Sequence, residues 1–300
     1  MDSVPQIFVE NVSLLLNPKS IHRSSWISSR WGRISSATIK KIHILQVYVG
    51  MNTEKFYAFV HPILLNRYSK VVHLDPVSLD SVDLKFITNF RIEPGWIVDD
   101  ILATSSEICS TKLKRLCEFI SPTTEGRPIC FDIGYCNKLE IRDAASILKK
   151  LLSMRLPVDT VELRIEMEEL LPAVEEFLQN AGPLYDINIQ CGAFVLNQST
   201  VDALIDKYVP VNHGNFALKG NTRLTRDQIK RLVLKCERAD KKVKIEVCPE
   251  GATESSKVTD FFDFDKHYSH KEVRTDGVIA SREGTELSVW VQYFPEGQLE

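Results

Sequence analysis

The second half of the chain carries a rhythm that few folds can accommodate. Short runs rich in β-branched and aliphatic residues occupy residues 129–133, 160–165, 187–191, 216–219 and 243–247. Their starts are separated by roughly 26 to 32 residues. Between them, apolar residues recur at helical spacing over residues 144–152, 171–178, 201–209 and 229–236. One strand–helix unit cannot bury its apolar face alone, so neighbouring units must stack. Right-handed crossovers then make their strands parallel. The expected architecture is α/β. A short N-terminal helical module precedes repeat-like strand–helix units that form one mainly parallel sheet, and a β-hairpin closes the chain.

Local signals support these elements. Thr225-x-x-Gln228 reads as a capping box, in which hydroxyl and amide each satisfy a backbone N–H that the helix leaves free. Ser199-x-x-Asp202 is a weaker version, and Pro172 suits a first helical turn. Asn180-Ala181-Gly182-Pro183 reads as a helix exit, with Gly182 supplying a left-handed cap. Beyond residue 247, Pro249-Glu250-Gly251 and Glu254-Ser255-Ser256-Lys257 read as loop, and residues 278–280 and 287–291 flank a turn at Arg282-Glu283-Gly284-Thr285. The spacing resembles an irregular leucine-rich-repeat array or a doubly wound sheet. The strict leucine and asparagine frame of true leucine-rich repeats is absent.

The first half divides differently. Phe8, Val12, Leu15 and Leu16 give a helix opened by Pro5 and stopped by Asn17-Pro18, because the residue before proline avoids the α region. A second helical stretch is expected from about Ser20, carrying Ile21, Trp26, Ile27 and Trp31. From Lys41 the period changes to β, with further strands expected over 56–60 and 71–74 and a helix over 111–120. The expected organisation is a helical module at 1–40, a mixed α/β region at 41–127 and the repeat-like layer at 128–300.

Charge and composition narrow the function classes. Hydrophobic residues make up 44% of the chain and charged ones 26%, as in ordinary globular proteins. A net charge of -3 and a pI near 6.2 argue against a surface given over to nucleic acid. No signal core and no run of about 18 apolar residues is present, so a cytoplasmic or nuclear protein without membrane contact is expected. The seven cysteines (109, 117, 130, 136, 191, 236 and 248) include no C-x-x-C pair and read as buried thiols.

Catalytic signatures are missing: no G-x-G-x-x-G, P-loop, G-x-S-x-G or H-E-x-x-H occurs. No catalytic residue, cofactor or resident metal is therefore expected. The nearest approach to a metal set, Asp263-x-Asp265-x-His267-x-x-His270, reads instead as a loop anchored by phenylalanines. Asp99-Asp100 beside Trp96 reads as a helix N-terminus stabilised by negative charge. A basic stretch, residues 219–244, carries ten Lys and Arg against three acids. Arg226, Lys230, Arg231, Lys235 and Arg238 form its exposed helical side, read as a solvated face or a surface for an acidic protein; a nucleic-acid surface is the weaker alternative, because no aromatic is interleaved to stack bases.

The N-terminus resembles a known motif. Val4-Pro5-x-x-Phe8-x-x-x-Val12-x-x-Leu15-Leu16, then Asn17-Pro18-Lys19-Ser20-Ile21, then Trp31, is similar to a degenerate F-box. The opening Met1-Asp2-Ser3-Val4-Pro5 resembles nematode-specific F-box-like proteins whose C-terminal halves are strand–helix repeats. That resemblance implies that Val4, Pro5, Phe8, Val12, Leu15, Ile21 and Trp31 would bind a Skp1-like linker of a cullin ubiquitin ligase. The repeats would hold an unknown protein substrate. Val4 stands where the motif usually has Leu, and Ser29-Arg30-Trp31 lacks the Cys that often precedes the Trp. Two functions stay open at this point. One is a non-enzymatic adaptor. The other is a small-molecule or metal-dependent α/β enzyme in which Asp99, Asp100, Asp263, His267 and His270 would converge.

Overall fold

Asn17-Pro18 does more than stop the first helix. In the computed structural model, α1 (Gln6–Leu15) ends there, and the same dipeptide starts α2 (Pro18–Ser25). The Asn17 side chain accepts the Ser20 N–H at 2.9 Å, and Pro18 fills the first helical position. The expected second stretch is therefore two helices. It breaks after Ser25, and Ser29 caps α3 (Arg30–Ile39) by accepting the Gly32 N–H at 3.5 Å.

The structure describes residues 4–50, 55–65, 71–73, 75–95, 104–120, 134–142, 145–253, 255–274, 277–282 and 285–291. The strand expected at 129–133, together with Trp96, Asp99, Asp100 and Cys130, lies outside them. Residue contacts divide the chain into two units, residues 1–140 with 156–159, and residues 141–155 with 160–300. The expected segments 1–40 and 41–127 fall together in the first unit.

In the first unit, β1 (His43–Gly50) pairs antiparallel with β2 (Phe56–Leu65) and parallel with β4 (Ile87–Gly95). Antiparallel to β2 run β3 (Val71–His73) and β5 (Ser106–Ile108), and β6 (Lys138–Arg142) lies parallel to β4 through Lys138 and Leu139. The helix α4 (Ser110–Glu118) buries Leu113, Leu116 and Cys117 on one side, the face its spacing predicts. Ile21 packs with Ile42, Ile44, Ile63 and Tyr135, with Leu14, Leu16 and Ile39 against them.

The second unit alternates α5 (Ala145–Leu152), β7 (Thr160–Ile165), α6 (Leu171–Asn180), β8 (Asp186–Cys191), α7 (Gln198–Lys207) and β9 (Gly214–Gly220). There follow β10 (Arg223–Leu224), α8 (Arg226–Ala239), β11 (Lys242–Pro249), β12 (His270–Val273), β13 (Gly277–Arg282) and β14 (Thr285–Val291). The strand order is β7-β8-β9-β11-β14-β13-β12, with β10 beside β11. Parallel pairing links β7, β8, β9, β11 and β14, so the runs at 160, 187, 216 and 243 lie side by side as expected. The closing hairpin is β13–β14, antiparallel, with β12 on its outer side.

Each crossover helix packs on the next, from α5 to α8, which makes one helical layer. Val161, Leu163, Ile187, Ile189, Phe216, Leu218, Val243 and Ile245 form one buried face of the sheet. Each such burial stabilises by about 1.5–3 kcal/mol. A one-residue register slip would turn Glu162, Asn188 and Lys244 toward that face instead, so the alternation fixes the pairing.

The Thr225 capping box forms, with Gln228 N–H donating to Thr225 at 3.2 Å and Thr225 N–H to the Gln228 amide oxygen at 2.9 Å. Two other expected signals act differently. Asn197, not Ser199, stands at the start of α7, and its N–H and amide bind the Glu175 carboxylate at 2.6 and 2.5 Å. The chain leaves α6 through Ala181 in extended geometry, so Gly182 is not a left-handed cap. Among the described residues no helix is long and apolar enough to cross a membrane.

Candidate partner-binding surfaces

The α1 helix turns Val9, Glu10 and Ser13 inward, where the Ser13 hydroxyl meets that of Ser35 on α3 at 3.4 Å. Two small residues at the crossing let the helices approach closely. The opposite side of α1 is left uncovered, with Phe8 53% and Leu15 45% exposed. Pro5 is exposed, and Val4, Val12 and Trp31 are half-buried. Ile21 is fully enclosed in the core of the first unit, so it supports this surface from within and cannot touch a partner.

Further large apolar side chains of the same helical segment are exposed. Ile7 is 59% exposed, and the turn between α2 and α3 presents Trp26 at 70% and Ile27 at 49%. His22 meets the Trp26 ring edge-on at 5.1 Å between centroids. The turn lies directly on Gly32, where a Cβ would come within 2.0 Å of the Ile27 carbonyl oxygen. Glycine there is what lets the Trp26-Ile27 segment sit against α3.

A second surface is the face of the second unit's sheet turned away from its buried apolar side. In register across the strands run Glu162, Asn188, Ala217 and Glu246, and beside them Arg164, Gln190 and Lys219. Lys219 and Lys244 reach Glu246 at 3.3 and 3.2 Å, and Arg142 reaches Glu162 at 3.2 Å. Arg142, Glu162, Leu163, Arg164, Asn188 and Gln190 line a shallow depression of about 210 Å³. Small-molecule sites usually enclose about 300–1,000 Å³ and are mostly apolar. The charged and amide lining suits a polar macromolecular contact better.

No family model, curated protein or solved structure matches the chain. Function must be read from the side chains.

The basic side of α8 is less open than its sequence suggests. Arg226, Lys230, Arg231 and Arg238 are exposed and Lys235 half-buried. Arg231, however, bridges Asp202 and Asp206 of α7 at 2.6 Å each. Lys235 donates to the carbonyls of Ile205 and Asp206, at 2.9 and 2.6 Å, where α7 ends, and Arg226 to that of Asp260 at 3.0 Å. Three of the five cations thus brace neighbouring segments of the same unit, leaving Lys230 and Arg238 directed outward. The helical period located this face, but it gave no sign of the acids on α7.

The candidate metal ligands do not come together. Asp263 and His270 are exposed, His267 stacks on Phe262 at 5.5 Å between centroids, and Phe262, Phe264 and Tyr268 bury themselves as loop anchors. Asp265 pairs with Lys271 at 2.5 Å. Among the described residues no three His, Cys, Asp or Glu side chains are grouped to hold a metal. The polar ladder went unnoticed in the sequence, although its signal is there: polar residues two apart at 162 and 164, 188 and 190, and 244 and 246.

Proposed function

We propose that the chain is a non-enzymatic protein–protein interaction protein, an F-box-like substrate-recognition adaptor. On this reading α1–α3 dock a Skp1-like linker of a cullin ubiquitin ligase. The leucine-rich-repeat-like layer of the second unit holds a protein substrate on its polar face. One observation carries the proposal. Of the ten large hydrophobic side chains exposed among the described residues, five belong to α1 and the α2–α3 turn: Ile7, Phe8, Leu15, Trp26 and Ile27. Exposed apolar side chains concentrated in one short segment of a chain suit an interaction site, and aromatic anchors dominate binding energy when a partner desolvates them.

The test is titration of the purified full chain with a purified Skp1-like linker. Wild-type binding should be lost by at least about 100-fold in Phe8→Asp and Leu15→Asp, a change typical of interface anchors. Both side chains are about half exposed, so circular dichroism of these variants should match wild type. A linker that ignores the wild-type chain, or binds both variants equally well, would rule the docking role out.

A further inference from the structure

We infer that the polar face of the second unit's sheet reads the backbone of an extended, acidic peptide segment laid along β8. This rests on the proposal that the face holds a protein substrate, and adds which part of the substrate it recognises. Asn188 and Gln190 stand two apart on β8, so both side chains leave the same side of the sheet. Neither carboxamide has a hydrogen-bond partner among the described residues. The amides of Asn197, Asn212 and Gln228, by contrast, all brace the fold. Asn188 is half-buried and Gln190 exposed, and both line the depression beside Arg142, Glu162 and Arg164.

A carboxamide offers an acceptor and a donor in one plane, the same two groups as a peptide unit. The Cα atoms of Asn188 and Gln190 are about 6.6 Å apart, twice the rise per residue of a parallel strand. An extended peptide turns the N–H and C=O of every second residue to one side, at about the same interval. A chain running along β8 can therefore pair one such residue with each amide.

The neighbouring strands form a trough for that chain. Beside Asn188 on β9 is Ala217, which has nothing beyond its Cβ to obstruct a ligand. Longer charged side chains flank the two amides. On the β7 side the charges balance, because Arg142 pairs with Glu162 at 3.2 Å and Arg164 with Glu166 at 2.7 Å. On the β11 side Lys219 and Lys244 share Glu246, at 3.3 and 3.2 Å. Glu246 is only 7% exposed, whereas Lys244 is exposed and Lys219, opposite Gln190, is half-buried. These three groups leave one positive charge in excess, and it lies toward solvent. A Glu or Asp side chain of the peptide complements it. A single-stranded nucleic acid shares the negative charge but fits less well. None of the side chains lining the depression is aromatic, so bases have nothing to stack on, and Glu162 repels phosphates.

The experiment measures binding of the full chain to labelled nonapeptides by fluorescence anisotropy. The first peptide alternates Thr and Glu, the second carries Lys in place of Glu, and the third is the first with its internal peptide nitrogens methylated. Wild type should bind the first at least about tenfold more tightly than either of the others. Asn188→Leu combined with Gln190→Met should weaken the first peptide about tenfold or more. Lys219→Gln combined with Lys244→Gln should remove the preference for Glu over Lys and keep the sensitivity to methylation. All four side chains are at least partly exposed, so both variants should retain wild-type circular dichroism. Binding that ignores methylation and the amide variant would overturn the backbone reading. A wild-type chain that binds the Skp1-like linker but none of the peptides would overturn the inference and leave the docking role standing. Peptide binding as expected, with no linker binding, would overturn the docking role and leave the inference standing. Binding of a nine-residue uridine oligonucleotide, and of none of the peptides, would replace the peptide with single-stranded RNA.

Discussion

Asp159 and Asn137 hold each other reciprocally: a carboxylate oxygen of Asp159 accepts the Asn137 N–H at 2.8 Å, and the Asn137 carbonyl accepts the Asp159 N–H at 2.8 Å. Both residues are fully buried. The Asn137 side chain extends the contact, its oxygen accepting the Phe90 N–H at 3.2 Å and its amide donating to the Pro157 carbonyl at 2.9 Å. The segment 156–159 is thereby tied to the strands of the first unit. The second unit uses the same device where strands begin. Asp186 accepts the Asn215 N–H at 3.1 Å, and Asn212 accepts that of Lys242 at 3.0 Å.

Removing such a staple leaves buried N–H groups without a partner. We expect Asp159→Ala to cost about 3 kcal/mol, since it strips an enclosed charge-assisted acceptor. Asn212→Ala should cost about 1 kcal/mol, because that bond is neutral and exposed. Urea unfolding of both variants measures the difference. Equal losses would show that the Asp159 contact adds nothing beyond an ordinary hydrogen bond.

On α8 the structure separates two neighbours that the sequence treats alike. Lys230→Glu should change stability by about 0.5 kcal/mol or less, as an outward surface charge. Arg231→Glu should cost about 1 kcal/mol or more, because it replaces two ion pairs by repulsion from Asp202 and Asp206. Restoring stability with Asp202→Arg in the Arg231→Glu background would confirm the cause. No rescue would point to lost side-chain packing instead.

This pair also shows where sequence reading succeeds and fails. Ile229, Leu232, Val233 and Cys236 fix the buried side of α8 through helical period alone, and all four are buried. The alternation in β7, β8, β9 and β11 likewise fixes which strand faces go inside. Period says nothing about what lies opposite a side chain in space. Asp202 is 29 residues from Arg231 and Glu175 is 22 from Asn197, so both contacts exist only once successive strand–helix repeats of the second unit stack. Ile21 fails for a related reason. Its place in the F-box-like pattern suggested an outward role, whereas Ile42, Ile44 and Ile63 arrive from elsewhere to enclose it.

Glu93 gives the acid response a definite sign. Burial alone would raise its carboxyl, but Arg91 at 2.8 Å, Lys138 at 3.6 Å and the Gln46 amide at 3.1 Å outweigh it and hold the group below its usual range. A carboxylate depressed in the fold stabilises above its unfolded value, about 4.3, and that contribution is lost as pH falls through the lower folded value. Glu93→Gln should therefore flatten the stability–pH curve below about 4.3. An unchanged slope there would assign the acid sensitivity to other carboxylates.

The thiols should divide sharply in reactivity. The first-turn N–H groups of α4, that of Lys112 foremost, hold exposed Cys109 below the usual thiol range. Burial pushes Cys191 up to about 11, against the Thr222 hydroxyl, and Cys236 up to about 12, against Lys235. Since the thiolate is the reacting form, iodoacetamide near neutral pH should modify Cys109 first among the described cysteines. Peptide mapping over time reads the order. Labelling of Cys236 at the rate of Cys109 in the native state would contradict it.

The sharpest geometric prediction concerns Gly220, at the end of β9. Its φ of +93° lies where side-chain-bearing residues are strained, and a Cβ there would stand 1.8 Å from the Cys191 carbonyl oxygen on β8. Both penalties act together, because the backbone that would have to yield is paired: Cys191 and Gly220 are opposite one another in the parallel ladder. We expect Gly220→Ala to cost about 3 kcal/mol or more, from conformational strain plus overpacking. Gly182, the glycine whose sequence context promised a left-handed cap, is the control. It has no positive φ, and nothing lies within 4 Å of its Cβ position. Gly182→Ala should leave stability unchanged or raise it by up to about 1 kcal/mol, by restricting the unfolded chain. Urea midpoints for the two variants decide the matter. A Gly220→Ala protein as stable as Gly182→Ala would mean that β8 and β9 separate at this point more easily than their register allows.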